Sequence, residues 1–156
     1  MAVFPEITTL RGLEEQREKL VGSVTQLGEA INNLGAFLRF SGTLASDIAL
    51  TPSDQVINDL SGSVKTGGSL CVFIGNIIQA SNTTGNGYVR LRIDGVDKQT
   101  TRNSSSSTAD VSGNCLIHIE HLGEGDHLVE IVAYRDGGNQ SVLTNSNFFV
   151  LEIAGA

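Results

Sequence analysis

The chain has 156 residues, a formal net charge of −7 and 40% hydrophobic residues, which fits one folded domain, or one domain with an appendage, rather than a disordered chain. The acidic balance argues against non-specific nucleic-acid binding, which needs a basic face. With 5% aromatic residues and no tryptophan, the composition also argues against an aromatic sugar-binding platform or a base-stacking surface.

Residues 1–9 contain Pro5 and are predicted to form an extended docking arm. The first residues lack the basic and apolar segments of a secretion signal, and no run is long enough to span a membrane. We therefore expect synthesis in a cytosol and no membrane insertion. In that compartment Cys71 and Cys115 are predicted to be free, buried thiols rather than a disulfide.

A heptad repeat organises the next part of the chain, and only Arg17 interrupts its apolar seam. Such a stripe cannot be buried by one helix alone, so a coiled-coil stalk over residues 10–40 should assemble an oligomer. An amphipathic helix packed on its own domain is the alternative, and the heptads leave dimer and trimer open. The predicted interface residues are Leu10, Leu13, Leu20, Val24, Leu27, Ile31, Leu34 and Leu38.

Residues 41–156 are rich in glycine, serine, threonine and asparagine, and their apolar residues alternate as in β-strands. Residues 88–93 form the clearest strand, and Asp94-Gly95 directly after it predicts a tight hairpin turn. Further strands are predicted over residues 115–120, 127–135 and 147–153. Short strands separated by glycine turns predict an all-β sandwich or barrel.

Residues 98–113 contain few hydrophobic side chains and a serine run, and they are predicted to form a long exposed loop. A receptor could contact this loop through Arg102, Asn103, Ser104 and Ser105.

We find no motif for catalysis, for a metal or for another cofactor. His118 and His121 are three apart on a predicted strand and therefore face opposite sides, while His127 follows a turn. Surface or interface imidazoles explain the three histidines better than a metal site; the alternative is an axial ion in a trimer. No nucleophile-elbow or phosphate-binding motif occurs, and the carboxylates are scattered. We therefore expect no enzyme activity; a depolymerase would need a carboxylate cluster.

Three segments that overlap the last three predicted strands, residues 116–122, 125–131 and 147–153, resemble the final strands of tumour-necrosis-factor-like jelly rolls. Phage virion proteins with that fold often end in a similar pattern of glycine turn, histidine, alternating strand and Phe-Val-Leu-Glu-Ile. The resemblance covers roughly residues 60–156 and implies a trimer, frequently with a coiled-coil stalk. Short proteins of this design look like bacteriophage head fibres, capsid decoration proteins or tail-needle knobs.

The expected fold is therefore mainly β, with an N-terminal trimeric coiled coil followed by a jelly-roll knob. The expected function is that of a homotrimeric structural virion protein, a phage head fibre or capsid decoration protein. It would be made in the host cytoplasm and attached to capsid or tail proteins by its N-terminal arm. The alternative is a tail-fibre or needle knob, or an adhesin that binds host-surface glycan.

Overall fold

The computed structural model describes residues 14–15, 17–19, 21–23, 35–105 and 110–154. The chain divides into two compact units, Met1–Ala36 and Phe37–Ala156. In the first unit, the described residues between 14 and 23 are helical, as the heptad repeat predicts for them. The docking arm and seven interface positions lie outside the described residues, so the coiled coil stays a prediction; the seven are Leu10, Leu13, Leu20, Val24, Leu27, Ile31 and Leu34.

The described part of the second unit is built from strands and one 3-10 turn. In chain order they are β1 (Ala36–Thr43), β2 (Ile48–Ala49), β3 (Gln55–Val56), the 3-10 turn (Asn58–Leu60), β4 (Gly62–Gly67), β5 (Leu70–Ser81), β6 (Gly85–Ile93), β7 (Val96–Ser105), β8 (Asp110–His121), β9 (Glu124–Arg135), β10 (Gln140–Val142) and β11 (Asn147–Ile153).

These strands form two antiparallel sheets. In the first sheet, β5 pairs along one edge with β8; along its other edge it pairs with β11 over residues 70–76 and with β10 over residues 79–81. β1 extends this sheet beyond β11, and β2 extends it beyond β10. The second sheet has the order β3, β9, β6, β7, with β4 also paired to β9. Successive strands lie in alternate sheets from β4 to β6 and again from β7 to β10. The architecture is therefore jelly-roll-like.

The core lies between the sheets and is made by alternate residues of each strand. On β6, Val89, Leu91 and Ile93 are buried, as the alternating pattern predicts. The hairpin that follows is also confirmed: Asp94 and Gly95 have φ values of 50° and 79°, the left-handed conformations that a two-residue turn between strands requires.

The predicted stalk is too long at its C-terminal end. Residues 36–40 belong to β1, so Leu38 lies on a strand and not on a helix. Gly35 has a φ of 59°, a left-handed conformation that a continuing helix would not adopt. Further along the strand, the Phe40 ring packs against Phe148 of the core, with centroids 6.1 Å apart.

The predicted long loop over residues 98–113 is wrong. Residues up to Ser105 continue β7, and residues from Asp110 onward already belong to β8. The backbone of this polar stretch pairs with β6 and with residues 78–81 of β5. These backbone hydrogen bonds keep the stretch in strands, although its side chains bury little hydrophobic surface.

The two cysteines are free, as predicted, but only Cys71 is buried, whereas Cys115 is exposed on β8. The burial predicted for Cys115 is wrong because its side chain lies on the face of β8 that points away from the core.

Candidate functional site

The first sheet carries hydrophobic side chains on the face that points away from the core. We call this surface the apolar face; its residues are Leu70, Val72, Ile74, Ile117, Ile119, Phe149, Leu151 and Ile153. Because residues opposite each other in paired strands share a face, the ladders place these side chains in rows across three strands. Each of these side chains is half-buried or exposed, whereas the side chains of β5 and β11 on the other side of the same sheet are buried in the core.

Two complete rows show the arrangement. In one, Val72 of β5 lies between Ile119 of β8 and Leu151 of β11, and in the next, Ile74 lies between Ile117 and Phe149. Ile117 and Ile119 are 55% and 58% exposed, the largest exposures on the apolar face.

A polar row ends the apolar face on one side, where Asn76 lies between Cys115 and Asn147. An apolar patch with a polar border is typical of a protein interface. The apolar face is therefore a candidate surface for self-association.

The sequence analysis did not identify this face, although the sequence carries a signal for it. Residues 70–74 and 148–151 are continuous hydrophobic runs, a pattern typical of strands that are covered on both faces. Among the residues that the structure describes, only one face of each strand is covered: Phe73, Phe148 and Val150 are fully buried, whereas Ile74 and Phe149 are not. Leu38, the one predicted interface residue that the structure describes, is 58% exposed on β1.

The second sheet presents a polar surface on its own outer side, which we call the tyrosine–arginine face; it comprises Asp54, Asn86, Tyr88, Arg90, Arg92, Asp97, Arg102, Ser104, Tyr134 and Asp136. The chain has only two tyrosines, and both lie here, opposite each other on β6 and β9. Their rings stack with centroids 4.7 Å apart and an interplanar angle of 7°. The Arg90 guanidinium lies 5.0 Å from the centre of the Tyr134 ring, so Tyr134 contacts both a second ring and a cation.

Four charged side chains form a closed network at one end of this face. Arg90 contacts Asp54 at 3.2 Å and Asp97 at 2.8 Å, and Arg92 contacts each of the same carboxylates at 2.8 Å. The hydrogen bonds that Arg92 donates to Asp97, and then to Asp54, raise the pKa of Arg92. Two cations and two anions neutralise one another, so this end of the face carries little net charge.

A chain of hydrogen bonds continues toward the other end of the face. The Tyr88 hydroxyl donates to Asp136 Oδ2 at 2.8 Å, and Asn86 Nδ2 donates to the same carboxylate at 2.9 Å and 3.0 Å. The hydrogen bond from Tyr88, and then those from Asn86, lower the pKa of Asp136. The hydrogen bond to the Asp136 carboxylate in turn raises the pKa of the Tyr88 hydroxyl. Ser104 Oγ donates to Asn86 Oδ1 at 2.8 Å and accepts from Arg102 Nε at 2.7 Å.

The residues predicted as receptor contacts are only partly accessible. Arg102 and Ser104 are exposed on the tyrosine–arginine face, but Asn103 points into the molecule and is 8% exposed. The prediction for Asn103 is wrong because neighbouring residues of a strand point to opposite sides. Ser105 ends β7 and belongs to the strand rather than to a loop.

The three histidines are dispersed. His118 points toward the core, with its ring 5.9 Å from Phe73 and Nε2 at 3.2 Å from Glu120, while His121 is exposed on the opposite side of β8. His127 on β9 has Nδ1 at 2.7 Å from Asp94 Oδ2 and Nε2 at 2.9 Å from the Gly123 carbonyl. The hydrogen bond to Asp94, and then that to Gly123, raise the pKa of His127. Within the described ranges, no three histidine, cysteine or acidic side chains form a metal-binding group.

The fold on which both faces are displayed is jelly-roll-like, and several solved structures are similar to it. The Eiger TNF of S. frugiperda is 12% identical, with a TM-score of 0.50 over 78% of this chain and 93% of that chain. A chain of the T13 IBDV viral particle is 14% identical, with a TM-score of 0.51 over 77% of this chain and 32% of that chain. The CBM36-1 domain of a xylanase from the Trinervitermes trinervoides hindgut metagenome is 17% identical, with a TM-score of 0.44 over 76% of this chain and 99% of that chain.

These similarities are of structure, and at such low identity they concern the fold alone. No family model matches the chain, and no curated protein sequence matches it. Within the described part of the chain, no helix is both long enough and apolar enough to cross a membrane.

Proposed function

We propose that this protein is a homotrimeric structural component of a bacteriophage virion, a head fibre or capsid decoration protein. The N-terminal heptads assemble three chains, the arm over residues 1–9 attaches the trimer to capsid or tail proteins, and the jelly roll is displayed as a knob.

The observation that carries this proposal is the apolar face. Its side chains keep part of their surface accessible to water. Full burial of an exposed aliphatic side chain contributes about 1.5–3 kcal/mol, and burial of a side chain that is already half-buried contributes correspondingly less. The tyrosine–arginine face of the other sheet is polar, as expected for a surface that stays in water. This difference between the apolar face and the tyrosine–arginine face supports the proposal that the first sheet packs against another protein surface.

A second copy of the same chain is the simplest partner for that surface. Eight heptad seam positions in the first third of the chain are apolar, which favours association of identical helices. The structural similarity to the Eiger TNF supports a threefold arrangement, and the similarity to the IBDV particle chain supports a virion component.

Sedimentation equilibrium on the purified chain tests the assembly, and we expect three times the chain mass of 16.5 kDa at micromolar concentration. A stable monomer would contradict the proposal. Electron microscopy of particles with and without this protein then tests the virion role. We expect knobs at regular capsid or tail positions only when the protein is present.

The second candidate function is a tail-fibre or needle knob, or adhesin, that binds host-surface glycan. The observation that favours it is the tyrosine–arginine face, where the exposed Arg102 and Ser104 continue a row of polar groups from the stacked tyrosines. Tyrosine and arginine are also, with tryptophan, enriched at the hot spots of protein interfaces.

A glycan array probed with the wild type and with Arg102→Ala distinguishes the two functions. The adhesin predicts binding that Arg102→Ala weakens at least tenfold and that Lys65→Ala, on an exposed part of β4, leaves unchanged. Absence of binding to the array, together with co-purification on particles, favours the decoration role.

A further inference from the structure

The outer side of the first sheet carries a surface pocket, which lies beyond the polar row that ends the apolar face. The pocket has a volume of about 300 Å³ and is formed where β5 ends between β8 and β10. This volume is at the lower end of the range of small-molecule sites, so it suits a ligand of about one ring. We call it the β5-end pocket; its accessible lining residues are Ala80, Asn82, Val111, Asn139, Ser141 and Leu143.

The pocket exists because small side chains occupy the middle of the sheet at this end. The ladders place Ala80 of β5 between Val111 of β8 and Ser141 of β10. In the next row, Ile78 lies opposite Gly113, which has no side chain. The methyl group of Ala80 therefore forms a low floor, and Val111, which is 65% exposed, stands beside it as a wall. Six residues along β5 separate Ala80 from the nearest row of the apolar face, a distance of about 20 Å.

The rim of the pocket carries polar side chains that the fold does not use. Among the described residues, the side chains of Asn82, Asn139 and Ser141 have no hydrogen-bond partner. The backbone nevertheless fixes the two asparagines beside each other. The Asn82 N–H donates to the Asn139 carbonyl at 3.2 Å, and the Asn139 N–H donates to Thr83 Oγ1 at 2.6 Å. Two amides and a hydroxyl are thus available to a ligand at positions that the strands already hold.

The chemistry of the lining favours a neutral ligand with hydroxyl groups. None of the lining residues is ionisable, so an ion in the pocket would lose water without gaining a counter-charge. An asparagine amide and a serine hydroxyl each donate and accept hydrogen bonds, as the hydroxyl groups of a ligand also do. The methyl groups of Ala80, Val111 and Leu143 offer an apolar surface to C–H groups. A sugar ring combines these two properties, because its hydroxyl groups surround a ring of C–H groups.

We propose that the β5-end pocket binds one neutral sugar ring of a glycan. The C–H groups of the ring pack on Ala80 and Val111, and its hydroxyl groups bond to Asn82, Asn139 and Ser141. The pocket lies within one chain and on the sheet opposite the tyrosine–arginine face. Binding here therefore requires neither a trimer nor the residues of that face.

Nuclear magnetic resonance of the isotope-labelled full chain tests the pocket, with the methyl glycosides of glucose, galactose, mannose and xylose as neutral probes. We expect at least one glycoside to shift the backbone amides of residues 80–82, 111 and 139–143. A single ring buries little surface, so the dissociation constant should be on the order of 1–10 mM. Glucuronic acid, the charged counterpart of glucose, should leave these amides unshifted. Absence of shifts with all the neutral glycosides, or shifts at Tyr88 and Tyr134 instead, would overturn the proposal.

A first variant tests the shape of the pocket. In Ala80→Leu the larger side chain occupies the pocket, so the shifts caused by the glycoside should be lost. The matched control is Ser63→Leu, which adds the same side chain at an exposed position of β4 and should bind as the wild type does. Binding that persists in a folded Ala80→Leu would contradict the assigned site.

A second variant tests the rim and decides the question if Ala80→Leu does not fold. Asn139→Ala removes only an exposed amide, so the fold should be retained, and the dissociation constant should rise about fivefold through the loss of one hydrogen bond. Asn58→Ala, at an exposed asparagine of the 3-10 turn, is the matched control and should change nothing. Equal dissociation constants for Asn139→Ala and the wild type would overturn the assigned contacts.

Discussion

Glu152 is a carboxylate at the rim of the core that ties together three strands. Its side chain on β11 is 2% exposed; Oε1 accepts from the Gly67 N–H of β4 at 2.7 Å, and Oε2 accepts from Arg39 Nε of β1 at 2.6 Å. Burial raises the pKa of Glu152, but the bonds from Gly67 and Arg39 outweigh burial and lower it overall. The anion is therefore part of the native structure.

We expect Glu152→Gln to lower the free energy of unfolding by about 1–2 kcal/mol at pH 7, since hydrogen bonds to a charged group are stronger than those to an amide. Because the folded-state pKa is depressed, this contribution is complete above the unfolded pKa and is lost as the pH falls through the folded pKa. Urea unfolding at pH 7 and pH 3 checks this, with the exposed Glu124→Gln as control. An equal difference at both pH values would contradict the assignment.

The pair formed by His127 and Asp94 gives a pH dependence of the opposite sign. The hydrogen bond from His127 lowers the pKa of Asp94, and the pKa of His127 is raised. The stability contributed by His127 is therefore complete below its unfolded pKa of about 6.5 and is lost as the pH rises through its folded pKa.

We expect Asp94→Asn to cost about 0.5–1 kcal/mol at pH 5.5 and markedly less at pH 9, because the Asp94 side chain is 49% exposed and the pair is screened by solvent. Asparagine tolerates the left-handed conformation at φ 50° and can still accept from the Leu128 N–H, so the backbone should be retained. Urea titrations at the two pH values measure the effect. A cost that increases with pH would refute the pairing.

Strand β8 carries two residues at which self-association through the apolar face can be tested. Its outward residues Ile117 and Ile119 pair with Ile74 and Val72, and they are the most exposed members of that face. Replacing them changes little in the core, whose contribution from this strand is the fully buried Leu116.

We expect Ile117→Ser to raise the concentration at which the oligomer dissociates about tenfold, because burying the exposed half of this isoleucine contributes about 1 kcal/mol per chain and a trimer loses three such contributions. Val96→Ser is the matched control, since Val96 is 56% exposed on the other sheet and Ile117 is 55% exposed. Sedimentation velocity over a dilution series measures both variants. Equal behaviour of the two would exclude the apolar face as the interface.

The sequence predicts single strands better than it predicts how those strands pair with one another. The alternating pattern identified β6, its turn and the bounds of β11, because side-chain period and turn chemistry are local properties. It could not indicate that residues 98–113 continue into strands, since the pairing partners β5 and β6 are distant in the chain. For the same reason Asn103 was expected outside, although its side chain points into the molecule.

At the scale of the whole molecule, the prediction of self-association depends on the heptads as well as on the sheet. Leu27 lies in the seam of the predicted coil, while the adjacent Gln26 falls outside it. A charge at residue 27 would be buried between the predicted helices, whereas a charge at residue 26 would remain in water.

We therefore expect Leu27→Glu to shift the purified protein from trimer toward monomer at micromolar concentration, and Gln26→Glu to leave the mass unchanged. Light scattering coupled to size-exclusion chromatography measures both. A trimer that survives Leu27→Glu would place the assembly in the sheet alone and not in the N-terminal segment.

Strand β1 has a mechanical consequence for an anchored protein. Any force that reaches Phe37–Ala156 along the chain from its N-terminal side enters through this strand, which is paired to β11. A pull along a strand in a ladder loads its hydrogen bonds in shear, so many must break together. The Arg39–Glu152 ion pair joins β1 to β11 near the point where the force enters, so it would add resistance to separation of the two strands.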